Sequence, residues 1–295
     1  MTICKLCGSN SIKEVYRGPI RMGKITDISV QLYTIFACSD CDLVMLPSII
    51  QDLDEFYKSE EYRTEIGQSN DISTYENRHD PEVSSYFEMM PLTEFRGKVV
   101  ADLGCGAGSF LDAIKGFAKK TIAVEKNSDF IKLLEAKGHI ALESIKDYDR
   151  QSFGPIDIIV SHSVIEHLDD PLKFTQEIYD SLKPGGKVIL STPNQGSFLM
   201  KHGSEAFKSF FYRKVHTFYF NATALEKMVK IAGFENIKIK SLQNYGLSNT
   251  LLWLRDGTGT GYKSILNDSL LDFFWKKYLE ENHIADRLFC LAEKR

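Results

Sequence analysis

Asp102-Leu103-Gly104-Cys105-Gly106-Ala107-Gly108-Ser109-Phe110 is the stretch on which the fold of this chain turns. An apolar run from Lys98 to Leu103 feeds three closely spaced glycines, and helical text follows at once. Glycines at such a turn let the backbone approach a ligand and leave amide N–H groups exposed at a helix N-terminus. A dinucleotide fingerprint requires G-x-G-x-x-G; here the third glycine falls one place early and Ser109 occupies its slot.

Outward from this turn, strand-sized apolar runs alternate with helix-length segments, which predicts an α/β fold with a parallel sheet and crossover helices. The expected strands are Lys98 to Leu103, Thr121 to Glu125, Ile156 to Ser161 and Lys187 to Thr192, followed by Glu235 to Leu242 and Ala285 to Ala292. Helices are expected from Ser128 to Lys137 before Gly138, from Asp170-Pro171 through Leu182, from Asn221 through Ala232, and over Leu270 to Glu280. Upstream, residues 1–46 read as a small β-rich module. Residues 47–91 read as a connecting segment, helical near Leu53 to Tyr57 and Val83 to Met90, and residues 92–295 as the main domain.

The 295 residues carry 36 Lys and Arg against 40 Asp and Glu, a net charge of −4. No basic run dominates, so a nucleic-acid partner is disfavoured. No apolar run approaches the roughly 18 residues of a membrane span, and the start, MTICKLCGSN, has no secretory pattern, so a cytoplasmic location is expected. Two pairs, Cys4/Cys7 and Cys38/Cys41, have the spacing of a tetrahedral four-thiolate zinc site. With four thiolates no position stays open for water, so the zinc is expected to be structural. Residues 1–60 hold six basic and eight acidic side chains, which argues against a phosphate-backbone surface on this module. Cys105 and Cys290 stand alone and read as small core residues.

The turn D-L-G-C-G-A-G resembles motif I of the class I S-adenosylmethionine-dependent methyltransferases. Glu166-His167-Leu168 with Asp170-Pro171, Leu182-Lys183-Pro184-Gly185-Gly186 and Thr192-Pro193-Asn194 resemble the branch that includes ubiquinone-biosynthesis O-methyltransferases and many sugar methyltransferases. His216, Phe220, Leu225 and Ala232-Gly233-Phe234 continue the pattern, over about residues 75 to 240. The cysteine pairs, with C-S-D-C-D-L-V-M-L-P and Phe56-Tyr57 and Tyr62 beyond, resemble the zinc-binding module of deoxysugar C-methyltransferases.

This resemblance implies a Rossmann-like class I methyltransferase sheet with helices on both faces, a zinc-ribbon module, and S-adenosyl-L-methionine as cofactor. It places the cofactor at Asp102, Gly104, Cys105, Gly106 and Gly108, with Glu125 on the ribose, Ser144 and Ile145 at the adenine, and Ser161, His162 and Ser163 lining the site. His167 and His216, with Glu166, are the candidates for holding the acceptor or removing its proton.

The segment Phe207 to Phe220 combines seven aromatics with Lys208, Arg213, Lys214 and His216, and reads as part of a lid over about 197–220. Tyr212, Arg213 and Lys214 there suit a small anionic, phosphorylated or nucleotide-activated acceptor. O-methylation of a sugar or related precursor of a bacterial surface polysaccharide is the expectation. Methylation of a quinone-like or lipid acceptor, C-methylation of a nucleotide sugar, and a zinc-ribbon RNA-binding protein are the alternatives. The sequence leaves the oligomeric state and the role of residues 247–284 open.

Overall fold

The computed structural model describes residues 3–58, 72–263, 265–266 and 268–295; Tyr62 lies outside them. A seven-stranded sheet forms the body. Its strands are β4 (Val99–Leu103), β5 (Lys120–Val124), β6 (Ile140–Leu142), β7 (Ile156–His162), β8 (Leu182–Pro193), β10 (Phe234–Leu242) and β11 (Arg287–Lys294), in the order β10-β11-β8-β7-β4-β5-β6. Pairing is parallel throughout except for β11, which runs antiparallel to both β8 and β10. The α/β expectation holds, and each of the six expected strands is present within a few residues. β6 is an addition: its three residues are only half-buried and too short to show a period.

The helices start where the caps direct. Asn127 accepts from the N–H groups of Asp129 and Phe130, Asp170 from Lys173 ahead of Pro171, Asn221 from Ala224, and Asp268 from Leu270 and Leu271. The Thr-Pro-Asn segment is a splice: Asn194 Nδ2 donates to the Ala285 carbonyl at 2.8 Å while its Oδ1 accepts from Gly196 N–H, which brings the chain into β11 beside β8. Residues 247–284 supply helices Leu247–Asp256 and Ser269–Glu281. The connecting segment differs from expectation: its second helical piece is confined to Val83–Tyr86, and Ile72–His79 forms a further helix.

A second sheet has the order β1-β2-β3-β9. The module provides β1 (Ile12–Gly18), β2 (Tyr33–Cys38) and β3 (Val44–Met45), while β9 (Phe218–Tyr219) comes from the far side of β8. Val44 pairs with Tyr219 and Met45 with Phe218, antiparallel. Tyr16, Ile20, Ile35, Val44 and Leu46 share one apolar cluster with Phe207, Tyr212, Tyr219 and Trp253. The module and the segment from Phe207 to Phe220 are therefore built together.

The parallel strands follow β4 outward to β5 and β6, then return to β7 on its other side. That reversal opens a crevice at the carboxyl ends of β4 and β7, where open α/β sheets bind ligands. No helix among the described residues is long and apolar enough to cross a membrane.

Candidate active site

The glycine turn leaves β4 at this crevice. Gly104, Gly106 and Gly108 have φ values of 76°, 55° and 86°. At Gly106 the need for glycine is double: the conformation is left-handed, and a Cβ would collide with the Tyr75 hydroxyl. Glu125, next after β5, clasps the turn. Its Oε2 accepts from Gly106 N–H and its Oε1 from Lys126 and Asn127 N–H, each at 3.0 Å. Three of four lone-pair sites are used, and one on Oε2 remains for a ligand.

Asp102 lies buried beneath the turn, and burial, with the charge of Glu125, pushes its carboxyl up to about 8. Burial likewise raises the thiol of Cys105, which is half-buried against the core. The helix Ile72–His79 is fastened over this floor through Lys137. The Lys137 ammonium meets Glu76 at 2.7 Å, Asp112 at 2.6 Å and the Ala107 carbonyl at 2.8 Å. Ser144 and Ile145 follow β6, where Ser144 caps a short 3-10 turn and Ile145 is buried.

Across the crevice, Ser161 Oγ donates to the Leu103 carbonyl at 3.0 Å, so this hydroxyl joins β7 to β4. His162 stacks on Tyr86 with centroids 3.5 Å apart, and its Nδ1 sits 3.1 Å from Ser191 Oγ. Burial lowers its pKa to about 3, so the ring is neutral. Ser163 turns the chain with φ 54° and ties its N–H to the Ser191 carbonyl.

Glu166, His167 and His216 converge beyond this bend, with one potential ligand atom from each within 4.8 Å of the others. Glu166 is 1% exposed and accepts from Thr192 Oγ1; burial raises its carboxyl to about 7. His167 Nδ1 lies 2.7 Å from Tyr57 Oη and 3.0 Å from the Val215 carbonyl, and burial takes its pKa down to about 4. The His216 ring stands perpendicular to His167 at 4.5 Å, and its buried Nδ1 has no hydrogen-bond partner. Burial, then the neighbouring His167 and Arg213, hold it neutral.

The expected acceptor-binding residues separate. Arg213 is enclosed near His216, and burial lowers its pKa. Lys214 lies half-buried with its ammonium 5.8 Å from the Phe56 ring centroid. Tyr212 is packing: its ring meets Tyr16 and Tyr219, and its hydroxyl accepts from Gln195 Nε2. Sequence reading missed Arg287, at the start of β11. Burial works against its charge, but Glu82 at 3.2 Å, Tyr86 and Asp286 keep it protonated, and its charge reaches His162, Glu166 and Arg213. Sequence reading also missed Tyr57 and Tyr86, each of which contacts a candidate histidine far away in sequence.

In the module, Cys4 Sγ lies 3.5 Å from Cys41 Sγ and Cys7 Sγ 3.6 Å from Cys38 Sγ, with all four sulfurs within 4.8 Å. Each pair forms a knuckle in which a residue after the second cysteine, Gly8 or Asp42, adopts positive φ and returns its N–H to the carbonyl of the first cysteine. Sulfurs about 2.3 Å from a central ion would be spaced about 3.8 Å apart, so the cluster is compatible with tetrahedral zinc.

The chain is similar in sequence and in fold to known proteins. A protein of Mycolicibacterium smegmatis named "Probable S-adenosylmethionine-dependent methyltransferase" is 30% identical over 147 residues, 47% of this chain and 52% of that one. The ubiquinone biosynthesis O-methyltransferase of Thiobacillus denitrificans is 26% identical over 160 residues, 50% of this chain and 68% of that one. The alignment thus spans about half to two thirds of these relatives' lengths.

Among solved structures, an S-adenosylmethionine-dependent methyltransferase of Archaeoglobus fulgidus superposes with TM-score 0.50 at 19% identity, covering 75% of this chain and 98% of that one. Phosphoethanolamine N-methyltransferase 2 of Haemonchus contortus does so with TM-score 0.52 at 18% identity, covering 85% and 63%. At these identities the superpositions establish the fold. The family model described as "Methyltransferase domain" matches residues 75–239, which contain the glycine turn, Glu125 and the Glu166, His167 and His216 cluster, and the chain belongs to that family.

Proposed function

We propose that this chain is an S-adenosylmethionine-dependent methyltransferase for a small anionic acceptor, with oxygen as the methylated atom and a structural zinc in the cysteine module. The observation that carries the reading is the clasp of Gly106 by Glu125 inside the family's matched region. A bare backbone turn beside a carboxylate with one remaining lone pair suits the amino-acid end and the ribose of the cofactor. When bound, the cofactor supplies an electrophilic methyl group on a sulfonium.

The protein's task is then to orient an acceptor in line and to manage its proton. Gly104, Cys105, Gly106 and Gly108 would hold the cofactor over buried Asp102, with Glu125 on the ribose and Ser144 and Ile145 at the adenine. His162 and Ser163 would line the crevice, and Ser161 would keep β7 in place. His167 would act through Nε2, because Nδ1 is occupied by Tyr57 and Val215. His216 and Glu166 would complete the acceptor wall, while Arg213 and Arg287 would neutralise a phosphate or carboxylate.

A nucleotide-activated sugar or related precursor is the acceptor class proposed. A second reading, a quinol-like phenol, is favoured by the relatives named as ubiquinone biosynthesis O-methyltransferases. The test is a mass-spectrometric search for a product one methyl heavier, using zinc-loaded protein with the cofactor and parallel panels of nucleotide sugars, other phosphorylated metabolites and phenols. A gain on a phosphorylated member is expected. A gain confined to the phenols would replace the acceptor assignment, and no binding of S-adenosylhomocysteine would overturn the whole reading.

A further inference from the structure

We infer that Glu166, His167 and His216 form a second metal site, one that takes a divalent first-row transition ion on the acceptor side of the crevice. The three offer one carboxylate and two imidazoles within 4.8 Å of one another. Ligand atoms at bonds of about 2.0 to 2.2 Å stand roughly 3 to 4 Å apart, so side-chain adjustment of an ångström or less closes the shell.

Two further features point to a ligand. His216 Nδ1 is buried without any hydrogen-bond partner on a side chain only 3% exposed, although buried polar atoms are as a rule paired. His167 has its Nδ1 against the Val215 carbonyl and Tyr57 Oη, the arrangement that fixes the tautomer and aim of a metal-bound histidine while leaving Nε2 to coordinate. Thr192 supports Glu166 in the same way, donating to Oε2 at 3.1 Å.

The two ligand-bearing segments are fixed to each other. Thr217 N–H donates to the Glu166 carbonyl at 2.9 Å, and Thr217 Oγ1 donates to the Leu168 carbonyl at 2.6 Å. His216 is thereby held over the Glu166-His167 turn.

Two imidazoles and one carboxylate leave coordination positions open, unlike four thiolates, and suit Zn²⁺, Co²⁺, Mn²⁺ or Fe²⁺ better than Mg²⁺, which prefers an all-oxygen shell. Arg213 and Arg287 oppose a cation here, so the site should be weaker than the thiolate cluster and should empty first under a chelator. The inference rests on the proposed function only for its statement that this face receives the acceptor. An ion there would take an acceptor oxygen into its open position and polarise it.

The test uses the full chain with the cysteine cluster filled by zinc, titrated with Co²⁺ by calorimetry and visible absorption. One further equivalent is expected, with the weak bands of nitrogen and oxygen ligation and no thiolate charge transfer. His216→Gln and Glu166→Gln should each weaken it at least tenfold while S-adenosylhomocysteine binding stays within about twofold. No further equivalent in wild-type protein that binds S-adenosylhomocysteine would overturn the inference. So would cobalt that enters only the thiolate site, or a further equivalent that both variants retain unchanged. Because the wild-type titration needs neither acceptor nor turnover, its failure is distinct from failure of the methyltransferase reading.

Discussion

Val44 of β3 pairs with Tyr219 of β9, so the strand that follows the second cysteine knuckle is hydrogen-bonded to the segment that carries His216. The module is thereby joined by strand pairing to the segment proposed to face the acceptor, whereas the glycine turn and Glu125 follow β4 and β5, which pair with no strand of the module. Zinc in such a cluster contributes folding energy directly. Its removal by a strong chelator should lower the melting temperature and raise the KM for acceptor more than the Kd for S-adenosylhomocysteine. Calorimetry and steady-state kinetics on the same chelated sample check this; equal losses on both sides would refute the coupling.

Glu125→Ala removes the acceptor for three backbone N–H groups, including that of Gly106. Hydrogen bonds to a charged group contribute about 1.5 to 3 kcal/mol each, and a ligand that depends on the turn's shape feels part of that. S-adenosylhomocysteine affinity should fall at least tenfold, about 1.4 kcal/mol, with a lower melting temperature. Glu125→Gln keeps one acceptor oxygen and should fall between. Titration calorimetry decides, and an unchanged Kd in the alanine variant would detach Glu125 from the cofactor.

What the sequence made legible follows the range of the interactions. Caps, the glycine turn and strand-length apolar runs are local, and Asn127, Asp170 and Asn221 start helices where their side chains predict. The cysteine cluster was legible across more than 30 residues because thiolate pairs at that spacing have few other uses. The pairing of β9 with β3 was not, since two residues have no period and their partner lies over 170 positions away. Arg287 was hidden for the same reason: on β11 it reads as an ordinary strand end, and only the antiparallel insertion of β11 beside β8 brings its charge to His162 and Glu166.

His162 links stability to pH. An imidazole in an unfolded chain titrates near 6.5, while burial takes this one to about 3. The folded pKa is depressed, so the stability it contributes is complete above pH 6.5 and is lost as pH falls from there toward 3. His162→Phe can keep the stack on Tyr86 but has no proton to take up. Its unfolding free energy should therefore depend on acid less steeply, by up to about 1.4 kcal/mol per pH unit below 6.5, from a lower starting value because the Ser191 contact is gone. Urea unfolding at pH 8, 6.5 and 5.5 measures both effects, and parallel profiles for the two proteins would count against the assignment.

On the proposed function, Arg213 and Arg287 would separate an anionic acceptor from a neutral one. Both guanidiniums are enclosed enough for burial to oppose their charge, and charge acts there through a lower dielectric than at the surface. Arg213→Gln should raise the KM for a phosphorylated acceptor at least tenfold with a smaller change in kcat, and Lys214→Gln should do much less. Arg287→Gln should do the same and also destabilise the fold, because Glu82 loses its 3.2 Å partner and Asp286, half-buried, loses a compensating charge. Arg287→Lys restores the charge without the planar fork, so it should recover stability before it recovers KM. Kinetics at two salt concentrations, with the melting temperature of each variant, distinguish these effects. A KM that none of the arginine variants shifts would mean that the acceptor carries no anion into this crevice.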